Sequence, residues 1–222
     1  MKKKFIAAGA FFVAFLLLII GLKTVGVSAV GPMGTEIGFS RINAAVHGAL
    51  GVHTVWYEIT ELLGYVAILV MAAFVAVGLI QLIRRKSLRA VDAEIYAVGG
   101  LYAVMAALYA FFEIVVINYR CVIMSGAAEP EASFPSSHTM LACVVLASAI
   151  ILVGRYIKKG ALRLSLKIAC AVLCVAVTVG RLLSGVHWLT DIIGGILISA
   201  ALVLAFWGVL DLIGKRRSKT NG

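Results

Sequence analysis

The sequence predicts an all-α fold, a six-helix transmembrane bundle with both termini on the cytoplasmic side. The 222 residues are 63% hydrophobic and only 14% charged, against about 45–50% and about 25% in soluble domains. Apolar residues gather in six runs, at about 5–22, 62–83, 95–117, 139–154, 168–184 and 191–213. A span needs roughly 20 such residues to cross about 30 Å of hydrocarbon. The three prolines, Pro32, Pro130 and Pro135, all fall between runs, where a missing N–H breaks no helix. A soluble enzyme, a disordered tail and a disulfide scaffold are excluded, because a soluble fold would leave large apolar patches in water.

Each run has its own justification. The first follows Lys2, Lys3 and Lys4, and Val27-Ser28-Ala29 after it imitates a cleavage site. The run is longer than a signal core, which predicts an uncleaved helix. The outer loop, about 24–60, is the longest connection. Within it Phe39, Ile42, Val46, Ala49 and Leu50 recur at helical spacing beside Ser40, Arg41, Asn43 and His47. That spacing predicts a short helix, either lying in the membrane interface or simply covering the bundle. His47 and His53 read as interfacial polar residues. The fourth and fifth runs are short and extend into their flanks. Cys143, Cys170 and Cys174 lie inside runs, where a thiol packs as a small apolar group. Cys121 stands alone outside them, so no disulfide framework or metal site is expected. No repeat or long linker divides the chain, and residues 1–222 read as one membrane-embedded domain.

The net charge of +10 would suit a nucleic-acid binder, but its distribution argues otherwise. Lys2 to Lys4 precede the first run, and Arg84, Arg85, Lys86 and Arg89 follow the second. Arg155, Lys158, Lys159, Arg163 and Lys167 separate the fourth and fifth, and Lys215, Arg216, Arg217 and Lys219 follow the sixth. Six alternating spans put all of these on one face, which the positive-inside rule makes cytoplasmic. The other face keeps only Lys23, Arg41, Arg120 and Arg181. Basicity here sets orientation, and no nucleic acid is expected.

Ionisable residues on that sparse outer face converge. Arg120 is expected to end the third span, His138 to open the fourth and Arg181 to end the fifth, with His187 and Asp191 at the start of the sixth. Such groups at membrane depth are costly and point to function. His187 and Asp191 are four residues apart, so a shared helix face would let the carboxylate hold one ring nitrogen and free the other as a nucleophile. Two guanidiniums offer forked donors that match a tetrahedral oxyanion. Ser136 and Ser137 precede a helix, whose backbone N–H groups face an anion. His138 has the chemistry to protonate a leaving oxygen. The parts amount to phosphoryl transfer through a phosphohistidine, with no metal or cofactor.

These residues resemble the type 2 phosphatidic acid phosphatase family, membrane lipid phosphatases related to vanadium haloperoxidases. The family pattern is Lys-x6-Arg-Pro, then Pro-Ser-Gly-His, then Ser-Arg-x5-His-x3-Asp. Here the second part reads Pro135-Ser136-Ser137-His138, and the third reads Gly180-Arg181, five residues, His187, three residues, Asp191, with Gly194-Gly195 following. The resemblance implies that His187 is the nucleophile, Asp191 its orienting partner and His138 the general acid. It makes Arg120 and Arg181 phosphate clamps. Ser136 would offer its hydroxyl to phosphate, and Ser137 would donate the N–H that glycine supplies.

The first part departs from the pattern, with Glu113 in place of lysine and Cys121 in place of proline. Glu113 is expected to pair with and support an arginine, or else to be a protonated carboxyl bonded within the bundle. The expected activity is hydrolysis of a lipid phosphate monoester or diphosphate at the outer leaflet of the cell membrane. Undecaprenyl diphosphate, phosphatidylglycerol phosphate and phosphatidate are the substrates the resemblance implies. A phosphotransferase using the same phosphohistidine and a non-catalytic lipid-phosphate binder are the alternatives. The partners implied are the lipid substrate and the bilayer, with no protein partner.

Overall fold

The computed structural model describes residues 1–220. Helices α1 (Lys2–Thr24), α3 (Thr54–Arg85), α4 (Ala93–Ile114), α5 (Ser137–Tyr156), α6 (Gly160–Leu183) and α7 (Leu189–Thr220) make up the bundle, and α2 (Ser40–Leu50) is a short helix in the loop after α1. Among the described residues these six long helices are the ones apolar enough to cross a membrane. Large apolar side chains face outward along the bundle, such as Leu62, Leu69 and Ile83 on α3 and Val172 and Val175 on α6. Such a surface suits lipid, not water.

Several helix ends differ from those expected, each for a physical reason. The loop predicted over 24–60 is shorter, because α3 begins at Thr54. Its first two turns, Thr54 to Glu61, are too polar to register as a span, yet they are held by packing against α6. The helix predicted to run to 117 stops at Ile114, so Arg120 lies in a loop and does not end the third span. The chain pairs there through an isolated bridge between Tyr119 and Ala132. α6 starts at Gly160, eight residues before its apolar run, so Arg163 and Lys167 lie on the helix and not in the loop before it.

α5 is the most buried helix and packs between α3, α6 and α7, while α1 runs along α7. The core between them contains Phe15, Phe112 and Phe134 in mutual ring contact, with centroids 5.6 to 6.0 Å apart. Phe134 belongs to the loop that leads into α5, so this aromatic cluster anchors that loop from below. Gly194 on α7 makes room for it: a Cβ there would lie 2.3 Å from the Phe134 ring.

α2 does form, with its polar side inward. Asn43 is fully buried; its Nδ2 donates to Gly38 O at 2.9 Å and Thr190 Oγ1 at 3.0 Å, and its Oδ1 accepts from Thr190 N. Ile42 faces out. His47 Nε2 lies 3.2 Å from Gly185 O and its ring lies against Trp188, while His53 N donates to Ser184 O. The two loop histidines therefore brace the turn between α6 and α7, which is the turn that carries His187.

Candidate functional site

The site is built where the loop before α5, the turn after α6 and the first turns of α3 and α7 meet. Asp191, in the first turn of α7, is fully buried. Its Oδ2 accepts the Trp188 backbone N–H at 3.0 Å, a capping bond of the kind that starts helices. Its Oδ1 accepts from Asn118 Nδ2 at 3.2 Å. His187 sits two residues before the helix start at Leu189, so its four-residue spacing to Asp191 is a turn-to-helix contact and not a shared helix face. Nδ1 of His187 lies 3.6 Å from Asp191 Oδ2, an electrostatic contact longer than a hydrogen bond. Burial holds the His187 imidazole below its ordinary range, and the nearby Asp191 carboxylate offsets part of that shift. Neutral imidazole with a free nitrogen is the form a nucleophile needs.

Arg181, near the end of α6, is 1% exposed, and its Nη2 is bound to Glu61 on α3. Among the described residues its Nε and Nη1 are buried without a partner, as are both ring nitrogens of His187 and Nη1 of Arg120. Arg120 Nε is 3.0 Å from Glu131 Oε2, and the backbone N–H of Arg120 donates to Glu131 O. Each buried donor left unpaired costs about 1–3 kcal/mol. Several such donors in one site amount to unused capacity for an oxyanion.

Two cavities lie at the site, the smaller of them against Arg120 and His187. A small one of about 10 Å³, room for a single water, is lined by Glu113, Arg120, Ser133, Pro135, Ser137 and His187 among others. Beside it an apolar cavity of about 340 Å³ is lined by Ile68 and Met71 of α3, Met105, Ala106 and Tyr109 of α4, and Ser137, His138, Met140 and Leu141 of α5. Tyr109, Ser137 and Met140 form the shared wall.

The other expected residues divide. Ser137 reaches both cavities. Ser136 reaches neither: its N–H donates to Asp191 O at 3.0 Å, and its hydroxyl accepts from Thr139 Oγ1. It ties α5 to α7 from beneath. Glu113 lines the small cavity, but the ion pair to Arg120 comes from Glu131, because α4 ends before the face shared by Glu113 and Arg120 continues. Cys121, in the place of the family proline, is buried and donates to Gly185 O at 3.0 Å, and burial pushes its thiol up to about 12. Among the described residues no group of three or more His, Cys, Asp or Glu could hold a metal ion.

Sequence reasoning passed over Asn118 and Glu61. Asn118 is neutral and lies just past the predicted span. Glu61 sits one residue before the second apolar run and outside every motif. A helical stripe of Tyr57, Glu61 and Gly64 continuing through Ile68 and Met71 was the available signal.

Fold and site together define a polytopic helical membrane protein with a buried cationic site at one end of the bundle. Residues 118–214, which contain all of the motif residues from Arg120 to Asp191, match the model of the PAP2 superfamily, the family the motifs resemble. A solved structure with the same fold is that of the first transmembrane PAP2 type phosphatidylglycerolphosphate phosphatase from Bacillus subtilis. It superposes with a TM-score of 0.67 at 19% identity over 92% of this chain and 96% of that one. A search of curated proteins by sequence returned no match.

Proposed function

We propose that the protein is a membrane lipid phosphatase that hydrolyses a phosphate monoester or diphosphate headgroup through a phosphohistidine. The observation that carries this reading is the set of buried donors on Arg120, Arg181 and His187 that have no partner among the described residues, with Arg120 and His187 lining a small cavity that shares a wall with an apolar one large enough for part of a lipid chain. The phosphate binds the arginines. His187 attacks phosphorus as the bond to the leaving oxygen breaks, and His138 gives that oxygen its proton. Water then attacks the phosphohistidine, His138 takes a proton back, and phosphate leaves. No metal takes part in this scheme.

The lipid chain enters from the bilayer by way of α3 and α4, whose side chains line the apolar cavity. The basic ends of the helices lie opposite the site, which under the positive-inside rule supports a site facing the outer leaflet. Relatives by fold include a phosphatidylglycerolphosphate phosphatase, and that lipid joins phosphatidate and undecaprenyl diphosphate as the candidates. The test is phosphate release from these three purified lipids, with His187→Ala as control. Release from at least one of them, abolished in His187→Ala and by vanadate but not by a chelator, supports the reading. Turnover that persists in His187→Ala overturns it. A new phospholipid in place of free phosphate would make the protein a transferase.

A further inference from the structure

One carboxylate in the site has no place in the motif pattern. Glu61 projects from the second turn of α3 with its side chain 31% exposed, and a single oxygen, Oε1, contacts both Arg181 Nη2 and His138 Nε2, the latter at 3.2 Å. Tyr57, one turn earlier, lies under the Arg181 guanidinium with its ring centroid 4.9 Å away. One turn later the helix is pared down at Gly64, where a Cβ would stand 3.0 Å from His138 Cδ2. The His138 ring is thus wedged against the α3 backbone with its Nε2 on the Glu61 carboxylate. Farther along the same stripe, Ile68 and Met71 line the apolar cavity.

We propose that Glu61 is the positioning residue for the leaving-group acid, forming with His138 a second carboxylate–imidazole pair opposite Asp191–His187. The proposal rests on the phosphatase reading above. A carboxylate bound at one ring nitrogen fixes the plane of the imidazole and leaves the other nitrogen to face the leaving oxygen. It also supplies a counter-charge where Arg120, Arg181 and a protonated His138 would otherwise stand together with Asp191 already engaged by His187. In the step itself the His187 nitrogen bonds to phosphorus, the P–O bond breaks, and the proton on His138 passes to the departing oxygen. Glu61 stays ionised throughout and touches no reacting atom. By also taking Nη2 of Arg181, it leaves Nε and Nη1 of that guanidinium for the phosphate.

Acid catalysis matters in proportion to how poor the leaving group is. The experiment therefore compares phosphatidate, which releases an alcohol, with p-nitrophenyl phosphate, which releases an acidic phenol. The full-length protein, Glu61→Gln, Glu61→Asp, His138→Ala and the double variant Glu61→Gln/His138→Ala are measured in the same detergent. Because His138 also serves the hydrolysis of the phosphohistidine, which both substrates share, the comparison is read in kcat/KM, which reports only steps up to expulsion of the leaving group. The expected result is a fall of about 10²-fold for Glu61→Gln on phosphatidate and less than about fivefold on p-nitrophenyl phosphate. Glu61→Asp recovers part of the loss, and the double variant is no slower than His138→Ala. Turnover of the aryl ester doubles as the check that each variant is folded. Equal losses in kcat/KM on both substrates, or a gain in activity, would each overturn the proposal. If His138→Ala alone shows the difference between substrates, the phosphatase reading stands and the role of Glu61 falls. If His138→Ala treats both substrates alike, the acid assignment itself is wrong.

Discussion

At the basic end of the bundle, Glu94 on α4 is 3% exposed and receives Arg155 from α5 and Arg217 from α7, the latter through two bonds of 2.8 and 2.9 Å. Asp92 beside it takes Arg85 and Gln81, which hold its carboxyl below the usual range against the opposing effect of burial. Asp211 takes Lys4 and the N-terminal amine. The arginines of Glu94 remain 41% and 54% exposed. At the other end the balance inverts. Arg181 is 1% exposed with two nitrogens unpaired, and the fully buried Asp191 is satisfied mostly by neutral donors, Asn118 and the Trp188 backbone.

The same residue types thus do two jobs. Where acids are saturated by solvated arginines, the cluster fastens α4, α5 and α7 together. Where arginines are buried with donors to spare, the fold stores hydrogen-bonding capacity that only another anion can use.

Substitutions at the two ends should separate these roles. The largest effect is expected at Asp191→Asn, which keeps the side-chain shape but removes the charge behind His187 and one of the two acceptors that meet Trp188 and Asn118; phosphate release should fall by about 10³–10⁴-fold. Loss of less than tenfold would detach Asp191 from the nucleophile. Arg181→Lys removes the fork while keeping the charge, and should lower kcat/KM by about 10²-fold on any accepted lipid.

The pH profile gives a third measure. In the proposed scheme His187 must be neutral to attack, and burial holds it below the ordinary 6.5. Protonation then removes activity only as the pH falls through a midpoint below that value, about tenfold per unit beyond it. An acidic limb centred above 6.5 in kcat/KM would contradict a buried, neutral nucleophile.

Asn118→Ala should cost about tenfold in kcat, the worth of one hydrogen bond to a charged group, with KM unchanged. The smallest effect on turnover belongs to Glu94→Gln. Because its arginines are partly solvated, the expected loss is about 1–2 kcal/mol of stability, read as a lower Tm, with activity within about twofold. A large loss of activity there would mean that the two ends are not independent.

How much of this was legible in the sequence varied with the kind of signal. Length and hydropathy marked all six spans, since hydrocarbon leaves the backbone few alternatives to helix. Helix ends were less legible. Thr54 to Glu61 looks like loop by hydropathy, yet contact with α6 makes it helix, and this kept Glu61 out of view. The fixed spacing from Arg181 through His187 to Asp191 carried the site residues, although the contact it encodes crosses a turn. Glu113 and Ser136 show the opposite limit. Spacing aimed the first at Arg120 and the family resemblance aimed the second at a ligand, whereas Glu131 pairs with Arg120, and Ser136 gives its N–H to Asp191 O on α7 while its hydroxyl accepts from Thr139.

By itself, then, the sequence determined the six-helix bundle, the segregation of its basic residues at one end and the motif from Pro135 to Asp191, because composition and local spacing are properties of the chain alone. The partner of each charge was decided only by the tertiary structure. Glu61 meets Arg181 across 120 positions and His138 across a helix interface, and such meetings depend on how closely whole helices approach, which glycines at Gly64 and Gly180 allow and no local pattern announces.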